Sequence, residues 1–447
     1  MNRRVILVDF YWTRDKDPRV PLGHASILAK LQEQGDVDIR TLVVAVNQPD
    51  RDAAAICADI MKYAEGFAPD CVDVAFGAYV WGEELLQDVL HRLKTAGFMG
   101  RIVLGGPQIS YNGVGLERLY PTVNAFIRGY GEEALAAFVK SPLREEIPGV
   151  HWAGTHDRVV QAEVGLLELP SPWLTGTIPL RGQRFIRWET QRGCPFSCTF
   201  CQHREPGARL KRHTLSVSRI EAEIDLFCES EVLEIAVLDP IFNLSPQAIP
   251  ILRRFAKRGF KGRLSLQCRA ESVTEEFLNV ASQLNVCLEF GLQTIHLDEG
   301  RVIKRKNDID KVHHVLLGTR ERNIPHEVSV IFGLPLQTLA SFEETLSWCL
   351  ERRVPVIKAF PLLLLRGTEL ERERDKWGLR ESGGEMPMVV ESETFNRTEW
   401  RQMACLSEAL RETEGNHPGD IMALKRRALQ FQPDISRWVP ESTQVAI

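Results

Sequence analysis

Cys194, Cys198 and Cys201 fall within eight positions of one another in QRGCPFSCTFCQHR, residues 191–204. The other seven cysteines (57, 71, 228, 268, 287, 349 and 405) stand singly, mostly in apolar periodic stretches where a free thiol behaves as a small buried hydrophobe. Three thiolates this close could hold zinc, run dithiol redox chemistry or carry an iron–sulfur cluster. Zinc needs four ligands, and His203 could be the fourth, but zinc cysteines usually come as paired knuckles far apart in sequence. A redox C-x-x-C made of Cys198 and Cys201 leaves Cys194 without a role and lacks a thioredoxin-like helix start. A cluster held by three thiolates, with one iron open to a substrate or cofactor, uses all of them. The spacing favours this third reading.

The trio follows the strand candidate FIRWETQ, and five more strand candidates alternate with amphipathic helices up to about residue 365. Residues 185–365 are therefore expected to form a partial parallel (β/α)6 barrel with its chemistry at the carboxyl ends of the strands. Residues 1–140 show the same alternation without closure, which predicts an α/β, doubly wound, Rossmann-like domain. Such a sheet takes ligands beyond its carboxyl edge. Four loops there carry glycine or proline: YWTRDKDPRVPLG, GAYVWG, LGGPQIS and RGYGEEA. No G-x-G-x-x-G follows the first strand, which disfavours a dinucleotide. Residues 141–184 read as a linker with a small hairpin, and 366–447 as a helical C-terminal region.

The whole-chain numbers exclude several classes. With 447 residues, 44% hydrophobic and 26% charged, the chain is a globular protein of two or three domains. A net charge of -5 argues against nucleic acid as the main partner. No apolar run approaches the ~20 residues of a membrane span, and the N-terminus does not read as a signal peptide, so a cytoplasmic location is expected.

The C-x-x-x-C-x-x-C motif with Phe200 before its third cysteine, on the loop after the first strand of a parallel barrel, resembles the radical S-adenosylmethionine (SAM) superfamily. The resemblance implies a [4Fe-4S] cluster on Cys194, Cys198 and Cys201, with SAM on the open iron. It further implies SAM contacts from Asp239 in LDP, Arg269 in CRAE, Gln293 in FGLQT and Gly333 in VIFGLP. A doubly wound domain, a Pro-rich ELPSPW and then the cysteine loop resemble the cobalamin-dependent methyltransferases of that superfamily. This implies cobalamin held by Tyr79, Val80 and Trp81, by Gly105, Gly106 and Pro107 in LGGP, and by Gly129, Gly131 and Glu132 in GYGEEAL. No D-x-H-x-x-G motif occurs, so a histidine below the cobalt is not expected from that motif, and His24 reads as a helix-start residue.

The implied activity is C-methylation, a methyl passing from SAM by way of methylcobalamin to carbon of a small natural-product precursor, with an external electron donor. Within the family, RWETQRGCPFSCTFCQHR is most similar to the tryptophan 2-C-methyltransferases of antibiotic biosynthesis, which makes the indole C2 a candidate acceptor. That similarity also implies that Glu271, closing LQCRAE, binds the fourth iron. A non-methylating cyclisation or rearrangement, or a cobalamin and iron–sulfur electron carrier, is the rival reading.

Overall fold

A central strand with apolar residues on both faces needs helices on both sides, and RRVILVDFY, with residues 4–10 all buried, is such a strand. In the computed structural model, which describes residues 3–430 apart from 15, 19, 49–51, 142–143, 204–212 and 385, it becomes the middle of the first of two sheets. The chain divides at Phe185/Ile186 into two compact units.

The N-terminal unit runs β1 (Arg3–Tyr11), α1 (Leu22–Gln32), β2 (Val37–Ala45), α2 (Ala53–Ala64), β3 (Val72–Gly77) and α3 (Glu83–Thr95). There follow β4 (Arg101–Gly105), α4 (Pro107–Ser110), α5 (Leu116–Leu119), β5 (Ala125–Ile127), α6 (Gly131–Lys140) and β6 (Val150–Trp152). The strand order is β2-β1-β3-β4-β5-β6, parallel through β5. The strand order reverses between β1 and β3, which is where a doubly wound sheet opens a crevice for a ligand. One core, with Ile6, Val8, Phe10, Leu86 and Leu90, fills one face; the other, with Val5, Leu7, Leu135 and Phe138, fills the opposite face. Residues 141–184, read as a linker, carry β6, which pairs antiparallel with β5 at the sheet edge.

The second unit opens with β7 (Phe185–Trp188), β8 (Gln191–Arg192), β9 (His213–Thr214), α7 (Val217–Cys228), β10 (Glu234–Val237), α8 (Ala248–Lys257) and β11 (Arg263–Cys268). It continues with α9 (Glu275–Ala281), β12 (Val286–Gln293), α10 (Leu297–Val302), α11 (Ile309–Glu321), β13 (His326–Phe332), α12 (Leu339–Glu351) and β14 (Val356–Pro361). Six strands in the order β14-β13-β12-β11-β10-β7 make an open sheet, the partial barrel expected from the sequence. Its helices start where a side-chain oxygen takes up an otherwise orphaned amide: Ser216, Thr274, Asp308 and Thr338 each cap one. Outward-facing side chains pack against those helices, as where Trp188 meets Phe227 and Phe255 edge-on at 5.6 and 5.9 Å.

After α13 (Glu369–Arg372), β15 (Arg380–Glu381) and β16 (Val389–Glu391) form a small antiparallel pair. The C-terminal α14 (Arg397–Glu412) and α15 (Ile421–Ala428) follow, and Trp400 of α14 packs 5.7 Å from the Phe332 ring. The C-terminal region is thus a hairpin as well as helices.

Candidate active site

The cysteine loop is tied at both ends. β8 pairs with β9, Gln191 opposite Thr214 and Arg192 opposite His213, and closes its base. Further along, Thr199 N donates to Ile303 O at 3.1 Å, and Thr199 O accepts from Leu370 N at 3.0 Å. Within the loop, the Phe196 amide donates to the Cys194 sulfur, and the His203 amide donates to Cys201 Sγ at 3.4 Å. Amide donors to sulfur are one of the levers by which a protein tunes an iron–sulfur centre.

Burial is the larger influence on these thiols. It raises the Cys194 pKa and pushes Cys201 up to about 12, while the guanidinium of Arg305 pulls both down and that of Arg269 also lowers Cys194. The neighbouring Cys198 sulfur raises both, and the Cys194 sulfur also raises Cys201. Such thiols stay protonated near neutrality and give up their protons when they bind metal. Among the described residues, no three His, Cys, Asp or Glu side chains converge as they do around a single ion. Thiolates on separate irons of a cluster stand further apart than ligands of one ion, so the donor set still fits a cluster.

Unpartnered polar atoms mark the barrel mouth. Glu271 Oε1, Arg305 Nε, Asn307 Oδ1 and Gln191 Oε1 are buried without a hydrogen-bond partner among the described residues. Atoms in this condition cost about 1–3 kcal/mol each unless a ligand or water meets them. Glu271 Oε2 lies 3.4 Å from Arg269 Nε, and the Arg269 guanidinium sits 4.1 Å over the Phe196 ring. Arg305 donates to the Gly291 carbonyl, and Asn307 to the carbonyls of Leu292 and Thr294, at the carboxyl end of β12.

Two other residues expected to touch SAM are explained by the chain itself. Asp239 is fully buried; its Oδ1 accepts from Thr190 N at 2.7 Å and Gln191 N at 3.2 Å, and its Oδ2 from Thr190 Oγ1. Desolvation raises its pKa to about 7 against those stabilising bonds. Gly333 (φ 89°) donates its N–H to Gln337 Oε1 at 2.7 Å, and a Cβ there would stand 3.0 Å from Val389 O. Gln293, at φ 70°, closes the β12 bulge with its Nε2 beside Gly291. Arg305 and Asn307 were missed in the sequence because IKRKN reads as a solvated basic run.

In the N-terminal unit, the switch point between β1 and β3 gathers a second set. Tyr79 and Trp81 stack at 4.9 Å with an 8° interplanar angle, and Trp81 Nε1 donates to Phe10 O at 2.9 Å. Val80 shares their single turn of 3-10 helix. Asp9 and His24 are buried beside them, His24 Nδ1 lying 3.8 Å from Asp9 Oδ2, with His24 Nε2 unpartnered among the described residues. Glu132, also buried, accepts from Ser26 Oγ at 2.9 Å. Desolvation raises Asp9 to about 7 and lowers His24 to about 4. Asp9 carried a signal that sequence reading passed over: a lone carboxylate in an otherwise apolar strand.

The glycines of this edge divide. At Gly106 (φ 99°) a Cβ would stand 2.8 Å from Ala78 O, and at Gly129 (φ 81°) 2.5 Å from Ala162 O, so neighbouring backbone already demands both. Gly105 has ordinary contacts only, its nearest neighbour being Ile127 O at 3.8 Å, Pro107 opens α4, and Gly131 opens α6.

Comparison with known proteins bears on both units. Residues 188–349 match the radical SAM superfamily. This segment is a radical SAM domain. Over 323 residues the chain is 26% identical to the cobalamin-dependent radical SAM methyltransferase TokK of Streptomyces tokunonensis, covering 66% of this chain and 47% of TokK. It is 27% identical over 319 residues to the 2-(S-pantetheinyl)-carbapenam-3-carboxylate methyltransferase of Streptantibioticus cattleyicolor, covering 65% and 46%. The match thus spans about half the length of these relatives. Among solved structures, the radical SAM methyltransferase TsrM of Kitasatospora setae, with cobalamin and a [4Fe-4S] cluster bound, superposes with a TM-score of 0.67 at 16% identity, over 90% of this chain and 82% of TsrM. OxsB, a cobalamin-dependent SAM radical enzyme, gives 0.69 at 15% over 92% and 67%. These two likenesses show the fold: an α/β domain followed in sequence by an open, parallel six-stranded barrel. No helix of the described residues is long and apolar enough to cross a membrane.

Proposed function

We propose that this chain is a cobalamin-dependent radical SAM C-methyltransferase acting in the cytoplasm on a small natural-product precursor. Residues 1–140 would hold cobalamin along the carboxyl edge of the sheet, with Tyr79, Val80 and Trp81 after β3, Gly105 and Pro107 after β4, and Gly131 and Glu132 after β5. Residues 185–365 would hold the cluster on Cys194, Cys198 and Cys201, with SAM near Arg269, Gln293 and Glu271. When bound, these groups supply electron transfer and methyl carriage. The chain's own part is to orient, to exclude water and to keep charge balanced around the buried thiols.

The observation that carries the reading is the cysteine loop at the carboxyl end of the first barrel strand, fringed by the unpartnered atoms of Gln191, Glu271, Arg305 and Asn307. For the acceptor, C2 of tryptophan and a carbapenam carbon are the two candidates, the first from the motif and from the TsrM structure with tryptophan bound, the second from the curated relatives. The test is anaerobic reconstitution with iron, sulfide and hydroxocobalamin, then mass spectrometry of products from methyl-labelled SAM with each acceptor under an external reductant. Labelled methyl on a product carbon supports the reading. SAM consumed with rearranged but unmethylated product sinks it.

A further inference from the structure

Asp239 lies at the carboxyl end of β10, where a carboxylate facing the barrel mouth would meet SAM. Its actual partners are otherwise. Both oxygens are occupied from within the chain: Oδ1 by the amides of Thr190 and Gln191, Oδ2 by the Thr190 hydroxyl. The carboxylate has no exposed surface. Three donors converge on it from the two residues that lead into the cysteine loop, with Cys194 only three positions beyond Gln191.

The surrounding bonds run the same way. Leu238 N donates to Trp188 O at 2.7 Å and Leu215 N to Thr190 O at 3.0 Å, while Gln191 Nε2 donates to Ile241 O at 2.9 Å. β10, the end of β7 and the β8–β9 stem are thereby locked into one piece around residues 190–191. The two amides left without Asp239 would be buried donors lacking an acceptor, a state that folded chains avoid. No other element supplies a side-chain acceptor to both among the hydrogen bonds of the described residues.

We propose that Asp239 is a positioning residue for the cysteine loop: it fixes the course of residues 190–191, and through them the place of Cys194, without touching SAM. This rests on the reading of the trio as cluster ligands. The side chain best able to replace it is asparagine, whose carbonyl oxygen can accept from both amides and whose amino group can donate to Thr190 Oγ1. Alanine can do neither.

The first measurement needs no cofactor. Hydrogen exchange of the Thr190 and Gln191 amides in the full-length apoprotein should be about ten-fold faster or more in Asp239→Ala, the factor expected from losing a buried hydrogen bond, and close to wild type in Asp239→Asn. After reconstitution, the alanine variant should hold less iron and give a broadened spectrum in electron paramagnetic resonance. The asparagine variant should match wild type in iron content and in SAM affinity. Unchanged exchange and iron in Asp239→Ala would overturn the proposal. If the alanine variant does not fold, Asp239→Asn decides alone: weakened SAM binding with undisturbed amides and full iron would make Asp239 a SAM contact instead. A wild-type chain that takes up no cluster defeats the reading of the trio but leaves the exchange result standing.

Discussion

The guanidinium of Arg269 lies 4.1 Å from the centroid of the Phe196 ring, so the end of the β11 strand is joined to the cysteine loop by a cation–π contact. The same guanidinium donates to Lys306 O at 2.8 Å and lies 3.4 Å from the Glu271 carboxylate. One side chain thus spans three segments of the barrel mouth. A partly buried contact of this kind contributes roughly 0.5–2 kcal/mol.

Arg269→Lys keeps the charge but loses the planar stack and the forked donor set. We expect it to retain the fold, shown by an unchanged circular dichroism spectrum, while iron incorporation falls. Arg269→Ala should lose more, since it also removes positive charge beside Cys194. Equal iron in wild type and both variants would leave the stack without a role in holding the loop.

Gly106 and Gly129, which the resemblance implies as cobalamin contacts, are also required by the backbone around them. Gly106→Ala would place a Cβ 2.8 Å from Ala78 O at a φ of 99°. Strain of this kind costs about 1–3 kcal/mol, before any clash is relieved. Faster hydrogen exchange in the 78–108 segment of the apoprotein is expected, with hydroxocobalamin retention falling only in step. Gly105→Ala, free of close neighbours, should leave exchange unchanged, so any loss of cobalamin there would speak for a ligand.

Strand periodicity made the alternation of strands and helices in both units legible in the sequence. The alternation from Phe185 to Pro361 resolves as six strands in sequential order because each helix returns the chain to the neighbouring position. What could not be read was the destination of individual polar groups. Asp239 looks like a ligand residue in LDP, yet its acceptors are filled by amides some fifty positions earlier. Asp9 and His24 stand fifteen positions apart and meet only because α1 folds back along β1. Pairings of this kind belong to tertiary structure, and no local pattern encodes them.

That buried pair makes a pH prediction. His24 is lowered from 6.5 to about 4 by desolvation, so the folded chain resists a proton that the unfolded chain accepts, and stability from this group is lost as pH falls from about 6.5 to 4. Asp9 is raised from 3.8 to about 7, so its contribution is lost as pH rises from about 4 to 7. The two slopes oppose each other. His24→Gln should therefore leave a chain that weakens with rising pH across this window, and Asp9→Asn one that weakens with falling pH, each by on the order of 3 kcal/mol. Urea denaturation at pH 4.5, 5.5 and 6.5 reads this directly, and parallel slopes in the two variants would contradict it.

Glu271 offers the sharpest test of how SAM is used under the proposed function. Its Oε2 is engaged by Arg269 at 3.4 Å, but its Oε1 is buried and unpartnered among the described residues. A carboxylate oxygen in that state, at the carboxyl end of β11, is suited to a cation, and the open iron of a three-cysteine cluster is the cation that the proposed function supplies. The plainer role is a half of the Arg269 pair. If Glu271 occupies the iron, SAM has no place there and donates its methyl by polar transfer, which suits a carbon rich in π electrons such as indole C2. Glu271→Ala should then open the iron, and SAM should perturb the electron paramagnetic resonance spectrum of the reduced cluster in the variant alone. Glu271→Gln, which keeps the neighbour of Arg269 but is a weaker ligand, should behave as the alanine variant does. A spectrum shifted by SAM already in the wild-type protein, with 5'-deoxyadenosine formed in step with product, would show that Glu271 serves Arg269 only and that the enzyme works by the radical route.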